Sequence, residues 1–151
     1  MSVQIEPIAS LSATELEPLL TESERDGWRF VRRLLDEWSS GENRFTQPGE
    51  RLWGARSAGQ LIGICGLTGD PYQADRRVGR IRRMYVLRDW RRRGIGRQLL
   101  EQAIATARST FSELRLRTES PEAALFYEGL GFQIQRDAPH CTHILRLRDG
   151  E

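Results

Sequence analysis

Residues Arg91 to Gly96 read RRRGIG, and their types and spacing suit them to hold an anion. Glycines at 94 and 96 let the backbone turn tightly and keep side-chain bulk away from it. Upstream, RIRRMYVL alternates like a strand. Downstream, RQLLEQAIATAR puts Leu99, Leu100, Ala103, Ile104 and Ala107 on one helical face. A strand that turns through glycines into a helix faces that turn with the helix's first unpaired N–H groups and the positive end of its dipole. Such an arrangement is a cradle for phosphate or pyrophosphate, with Arg91, Arg92, Arg93 and Arg97 adding attraction. The dinucleotide fingerprint Gly-x-Gly-x-x-Gly is left incomplete, because its third glycine position holds Leu99.

Composition removes several other chemistries. All 23 basic residues are arginine, so lysine Schiff bases and a lysine-dependent Walker loop are excluded. Cys65 and Cys141 form neither a disulfide framework nor a paired metal motif, and Cys65, inside LIGICGL, reads as a small core residue. His140 and His143 make a poor metal site by their spacing, so no metal is expected. Arg91 to Arg93 lack interleaved aromatic residues or a recognition-helix pattern, which argues against specific nucleic-acid binding. No apolar run approaches the about 18 residues of a membrane span, and a cytoplasmic location is expected.

The net charge of +2 conceals an asymmetry: residues 1–50 hold ten acids and five arginines, residues 51–151 eleven acids and eighteen arginines. Two ligand surfaces of opposite preference are one reading of this, and two solvated faces are the other.

The elements that must position the glycine turn are legible in the 151 residues, which are expected to form a single domain, 1–151. VQIEPI alternates as a strand. Ser12 and Glu15 stand in capping-box spacing before a stripe of Leu16, Leu19 and Leu20. Phe30, Val31, Leu34, Leu35 and Trp38 form a second helical face, closed by Gly41 at a C-cap position. Two strands follow, joined at Ala58–Gly59, and then the strand before the glycine turn and the helix after it. ELRLRT is a further strand, Ser120 and Pro121 open a helix over PEAALFYEGL, and GFQIQR and THILRLR close the chain as strands. The order β–α–α–β–β–β–α–β–α–β–β predicts an α/β protein.

Arg91, Gly94 and Gly96 match the pattern Arg/Gln-x-x-Gly-x-Gly/Ala, and SPEAALFYEGLGF matches Asn-x-x-Ala-x-x-x-Tyr-x-x-x-Gly-Phe through Ala123, Tyr127, Gly131 and Phe132. With these two motifs in these elements, the chain resembles the GNAT N-acetyltransferase superfamily from residue 3 to about residue 148. The resemblance implies a mixed, mostly antiparallel sheet of about six to seven strands flanked by about four helices. It implies that amides from Arg92 to Arg97, Ile95 among them, bind the pyrophosphate of acetyl-CoA, and that the backbone of Met84, Tyr85 and Val86 pairs with the pantetheine arm. Tyr127 is implied as the acid that protonates the departing thiolate, a task suited to a phenol with an ordinary pKa near ~10. The implied reaction moves acetyl from acetyl-CoA to a primary amine of a small molecule or protein. A non-catalytic acyl-CoA-binding module, and less so a polyanion binder, are the alternatives. Expected partners are acetyl-CoA and the amine, with a homodimer as the candidate assembly and no membrane.

Two departures from the family pattern stand out. Ser120 replaces the usual asparagine, keeping the helix cap but shortening the reach toward the cofactor. The strand positions where relatives place a glutamate base are arginines, which leaves Glu119 as the one acid near these strand ends and the base unassigned. For the acceptor, Glu22, Glu24, Asp26, Asp36 and Glu42 are candidates to attract a cationic amine. Trp28, Phe30, Trp38 and Phe45 are candidates for an apolar wall, with Trp38 also readable as core by its helical spacing and His140 and His143 placed near the same cleft.

Overall fold

The structure is a computed structural model and describes residues 2–147. In chain order the elements are β1 (Gln4–Pro7), α1 (Ala13–Arg25), α2 (Phe30–Ser40), β2 (Arg51–Ser57), β3 (Gln60–Gly69) and β4 (Val78–Val86). A single 3-10 turn, Arg88–Trp90, leads to α3 (Ile95–Ala107), β5 (Glu113–Leu116), α4 (Pro121–Gly129), β6 (Gln133–Ile134) and β7 (His143–Arg146). The order is the one the sequence patterning predicts. The strands form one sheet, β1-β2-β3-β4-β5-β7-β6, antiparallel everywhere except between β4 and β5.

Local chemistry sets the boundaries. The Ser12 hydroxyl accepts from the Glu15 amide at 3.1 Å, satisfying one orphan donor of α1. Ser120 does the same for α4 by accepting from Ala123 N–H at 3.2 Å, with Pro121 in the first turn. Gly41 ends α2 in the left-handed region at φ 83°. The β2–β3 turn puts Ala58 and Gly59 at φ 50° and 79°, the two positive values that a tight hairpin demands.

Helices cover both faces of the sheet. Leu99 of α3 lies over Gly63 of β3, whereas the next residue, Ile64, pairs with Tyr85, whose ring meets Phe30 of α2 at 6.0 Å. Successive strand residues point to opposite faces, so α2 and α3 lie on opposite sides. Leu16, Leu19 and Leu20 of α1, Val31, Leu34 and Trp38 of α2, and Leu99, Leu100, Ala103 and Ala107 of α3 are buried in one continuous core. Trp38 and Phe45 belong to that core and contribute no wall to a cleft.

Strand β4 carries a bulge. Its residues Arg83 and Met84 together oppose the single Cys65 of β3, and Arg83 sits at φ 57°. Across the bulge the Arg82 carbonyl crowds Gly66. A Cβ at Gly66 would stand 3.0 Å from that oxygen and 2.6 Å from Cε1 of Phe45. Gly66→Ala should therefore destabilise the protein by about 1–3 kcal/mol, the usual cost of overpacking. Urea unfolding measures this, and an unchanged midpoint would show that β4 yields without cost.

Candidate active site

Strands β4 and β5 pair at only three positions, Val78–Glu113, Gly79–Leu114 and Arg80–Arg115. Beyond Arg80, among the described residues, no strand lies against this side of β4. Ile81 to Val86 and the chain from Leu116 to Ser120 instead line opposite walls of a cleft of about 1200 Å³. That volume exceeds what one drug-sized ligand fills, so the cleft has room for a long ligand arm and a second molecule. Met84, Tyr85 and Val86, the predicted backbone edge, lie on its wall together with Arg91, Arg92, Gly94, Ile95, Gly96 and Arg97.

One end of the cleft is the start of α3. The first intrahelical bond runs from Gln98 N–H to the Gly94 carbonyl at 3.0 Å, which leaves the amides of Gly94 to Arg97 without helical acceptors. The two glycines serve different needs. Gly94 takes φ 79° as the N-cap, with no atom near an added Cβ, so its requirement is conformational. At Gly96 a Cβ would lie 3.3 Å from Met84 Cε and 3.4 Å from Phe126 Cζ, so its requirement is close packing of α3 on β4 and α4.

The three arginines before the glycines are not equivalent. Arg91 donates through Nε to the Val86 carbonyl at 2.8 Å, and its guanidinium lies 5.2 Å from the Tyr85 ring centre. It fastens the loop to the end of β4. Arg93 lies over Trp90 at 4.9 Å and does not line the cleft, whereas Arg92, at φ 63°, and Arg97 do.

Glu22 ties this end of β4 to α1. Its Oε1 accepts from the Tyr85 hydroxyl at 2.7 Å and from the Arg88 amide at 2.8 Å, and lies 3.9 Å from Arg91. Burial, then the bond to Glu22, raises the Tyr85 pKa far above the usual phenol value. Sequence patterning grouped Glu22 with acids that attract an amine. Its bonds to a phenol and an amide distant in the chain give it a positioning role, and no local signal could have revealed it.

Tyr127 of α4 lines the cleft but is almost wholly buried, packed edge-on against Phe126 and Phe132 at 5.3 and 5.6 Å. Among the described residues nothing hydrogen-bonds to its hydroxyl. Burial pushes its pKa far up, as it pushes the neighbouring Cys65 thiol to about 12. Both groups stay protonated at neutral pH, and Cys65 is a buried core residue without nucleophilic character.

At the other end the predicted acceptor residues separate. Trp28 and Phe30 line the cleft, half-buried and 6.2 Å apart. Glu24 and Asp26 do not. Arg32 grips Glu24 through two 2.9 Å bonds, which hold its carboxyl below the usual range, and Arg88 holds Asp26 at 2.6 and 2.7 Å. Already neutralised by arginines, these acids offer an amine no open charge. Asp36 and Glu42 are exposed and lie outside the cleft lining. His143 is buried between Glu128 and Thr142, at 2.9 and 2.8 Å, in a structural position, whereas His140 lines the cleft and stacks on Tyr72 at 4.0 Å. Glu119 and Glu122 are the acids among the lining residues, and Glu119 is exposed and bonded to Arg117 at 3.2 Å. Ser120, also lining the cleft, spends its hydroxyl on the helix cap.

Comparison with known proteins agrees with this geometry. Residues 48–134 match the family model described as an acetyltransferase (GNAT) domain. Over 107 residues the chain is 30% identical to the N-alpha-acetyltransferase RimI of Mycobacterium tuberculosis, a match taking in 65% of this chain and 63% of that protein. A crystal structure from Exiguobacterium sp. 255-15, assigned to the acetyltransferases, superposes with a TM-score of 0.86 at 35% identity, covering 97% of this chain and 94% of the other. A GNAT-family acetyltransferase of Elizabethkingia anophelis, solved with acetyl-CoA bound, superposes with a TM-score of 0.62 at 20% identity, covering 96% and 98%. Among the described residues no helix is long and apolar enough to cross a membrane.

Glu22 and the raised phenols yield two expectations. Glu22→Gln should lower stability by about 1–2 kcal/mol, since hydrogen bonds to a charged acceptor are lost, and should speed hydrogen exchange at the Arg88 amide. Unaltered exchange there would remove the positioning role. Tyr85 and Tyr127 hold their protons more tightly folded than unfolded. Their contribution to stability is complete below the ordinary phenol value near ~10 and is lost as pH rises beyond it. Tyr85→Phe should flatten part of that alkaline decline in chemical denaturation.

Proposed function

The chain belongs to the GNAT acetyltransferase family, and we propose that it moves an acetyl group from acetyl-CoA directly to the nitrogen of a primary amine. The observation that carries this reading is the parting of β4 and β5 after Arg80, which opens a strand edge between the amides of α3 and the hydroxyl of Tyr127. RimI acts as an N-alpha-acetyltransferase by its name, and the Elizabethkingia protein holds acetyl-CoA, which supports the donor and the kind of acceptor.

Each part of the cleft then has a task. The amides of Gly94 to Arg97, with Arg92 and Arg97 beside them, receive the pyrophosphate. The edge of β4 from Met84 to Val86, free of any strand though the Val86 carbonyl accepts from Arg91, holds the extended arm as an added strand would be held, and one of its N–H groups polarises the thioester oxygen. The amine nitrogen, delivered neutral, forms its bond to the carbonyl carbon as the C–S bond breaks. The Tyr127 proton goes to the leaving sulfur. The new amide sheds a proton from nitrogen, and a proton returns to the Tyr127 oxygen directly or through Glu119 and water. No proton is gained or lost overall, and no covalent enzyme intermediate forms.

The direct experiment follows thiol release from acetyl-CoA against a panel of primary amines, with acetyl-CoA binding measured separately by calorimetry. Acceptor-dependent release supports transfer. Binding without release under any amine would reduce the protein to a carrier, and absent binding would end the reading. Tyr127→Phe should lower kcat about 10²–10⁴-fold, the usual worth of a positioned acid, with acetyl-CoA affinity nearly intact. Because the Tyr127 pKa is raised, the wild-type profile should show no descending limb from this group between pH 7 and 9.5. Gly94→Val, strained at φ 79°, should weaken acetyl-CoA binding through loss of the cap geometry.

A further inference from the structure

We infer that the acceptor amine carries an anionic group, a carboxylate or phosphate, which the arginines at the open end of the cleft hold; this rests on the acetyl-transfer reading above. With the start of α3 given to the pyrophosphate and the β4 edge to the thioester arm, the rest of the cleft belongs to the acceptor. Six arginines line that part: Arg29 just before α2, Arg33 in α2, Arg80, Arg82 and Arg83 from β4, and Arg117 after β5. The acids among the lining residues are only Glu119 and Glu122.

The bulge concentrates this charge. Arg82 pairs with Gly66 and Arg80 with Thr68, two positions on from one another, so both face the α2 side. The extra residue of the bulge lets Arg83 turn the same way, where its Nη2 meets Glu37 at 2.9 Å. Three guanidiniums thus share one face with one carboxylate of α2 among them.

Arg83 and Arg117 each spend one nitrogen on a carboxylate, Glu37 and Glu119, and much of the remaining hydrogen-bonding capacity of the six is unfilled. Arg29, Arg33 and Arg82 make no ion pair among the described residues. The Arg80 side chain is only 10% exposed; its Nη1 forms an ion pair with Asp70 at 3.7 Å, beyond hydrogen-bond reach, and has no hydrogen-bond partner. Buried Nε of Arg83 is likewise unpartnered. Burial, followed by repulsion from Arg83, lowers the Arg82 pKa, which an incoming anion would oppose. Guanidinium forks match carboxylate and phosphate oxygens pairwise. Tyr72, under Arg80 at 5.0 Å and stacked with His140, walls the far side, and Trp28 and Phe30 wall the near side. Asp70, Glu37 and Glu119 offset three of the six guanidiniums, so a cationic amine with no anion of its own would still meet a net positive field here.

Amine pairs that differ only in the anion test this: γ-aminobutyrate against its amide, and phosphoethanolamine against ethanolamine. Acetylation should favour the anionic member by at least about tenfold in kcat/KM, as expected for charge-assisted hydrogen bonds, with the preference shrinking as salt rises. Arg82→Gln and, at the exposed start of α2, Arg29→Gln should each narrow that ratio about fivefold or more. Transfer that favours the neutral members, or a ratio both variants leave unmoved, would overturn the inference while leaving acetyl transfer standing. Calorimetry with CoA-saturated protein reads the same site without turnover: γ-aminobutyrate or phosphoethanolamine should bind, and more weakly to Arg82→Gln. No binding of either would also overturn it. If Arg82→Gln instead weakens CoA itself, these arginines serve the cofactor and the inference falls.

Discussion

The three-residue limit on β4–β5 pairing is the constraint from which the rest of the site follows. A parallel pair that continued past Arg80 and Arg115 would satisfy the backbone of Ile81 to Val86 within the sheet, and no edge would remain for a ligand. The bulge at Arg83 and Met84 adds twist to β4 just where the pairing ends, as bulges do. Glu22 and Arg91 then fix the far end of the strand. One binds the Tyr85 hydroxyl and the Arg88 amide, the other the Val86 carbonyl. The strand is thus held at its bulge and at its tip, while the edge between stays open.

This explains why residues so far apart in the chain converge. The glycine turn must follow β4 immediately, since the amides of α3 are useful only at the mouth of the opening. Tyr127 must come from the helix after β5, because that helix starts on the opposite wall. Gly96 lets the two helices approach, its missing Cβ leaving room for Met84 of β4 and Phe126 of α4.

Much of this was legible in the sequence, for a physical reason. Element order, the Ser12, Gly41 and Ser120 caps, the Ala58–Gly59 turn and the glycines at 94 and 96 are local features, decided by a few neighbouring residues. The motif positions Arg91, Gly94, Gly96 and Tyr127 all line one cleft, although Arg91 spends its Nε on the Val86 carbonyl. Side chains whose partners are distant were not legible. Glu24 and Asp26 looked available to an amine because their partners Arg32 and Arg88 stand eight and 62 residues away. Arg82 and Arg83, neighbours in sequence, should face opposite sides by strand alternation. The bulge overrides that, and nothing local announces a bulge in RIRRMYVL.

The distribution of charge joins these threads. Four acids of the N-terminal half are consumed by arginines outside the cleft, Glu24 by Arg32, Asp26 by Arg88, and Glu6 and Glu15 by Arg56, whereas Glu37 and Glu22 meet the cleft-lining Arg83 and Arg91. What remains facing the cleft is positive at both ends. Leaving buried donors such as Arg80 Nη1 and Arg83 Nε unpaired costs stability in the free protein. The carboxylates beside them, Asp70 at 3.7 Å from Arg80 Nη1 and Glu37 at 2.9 Å from Arg83 Nη2, leave these two donors without a hydrogen bond. The two ends also differ in kind: backbone amides and a helix dipole at α3 suit a phosphate that any acyl-CoA brings, whereas guanidinium forks on β4 and α2 read the geometry of a second anion. The donor and the acceptor would therefore be told apart by how their anions are held, in a cleft whose overall sign draws both.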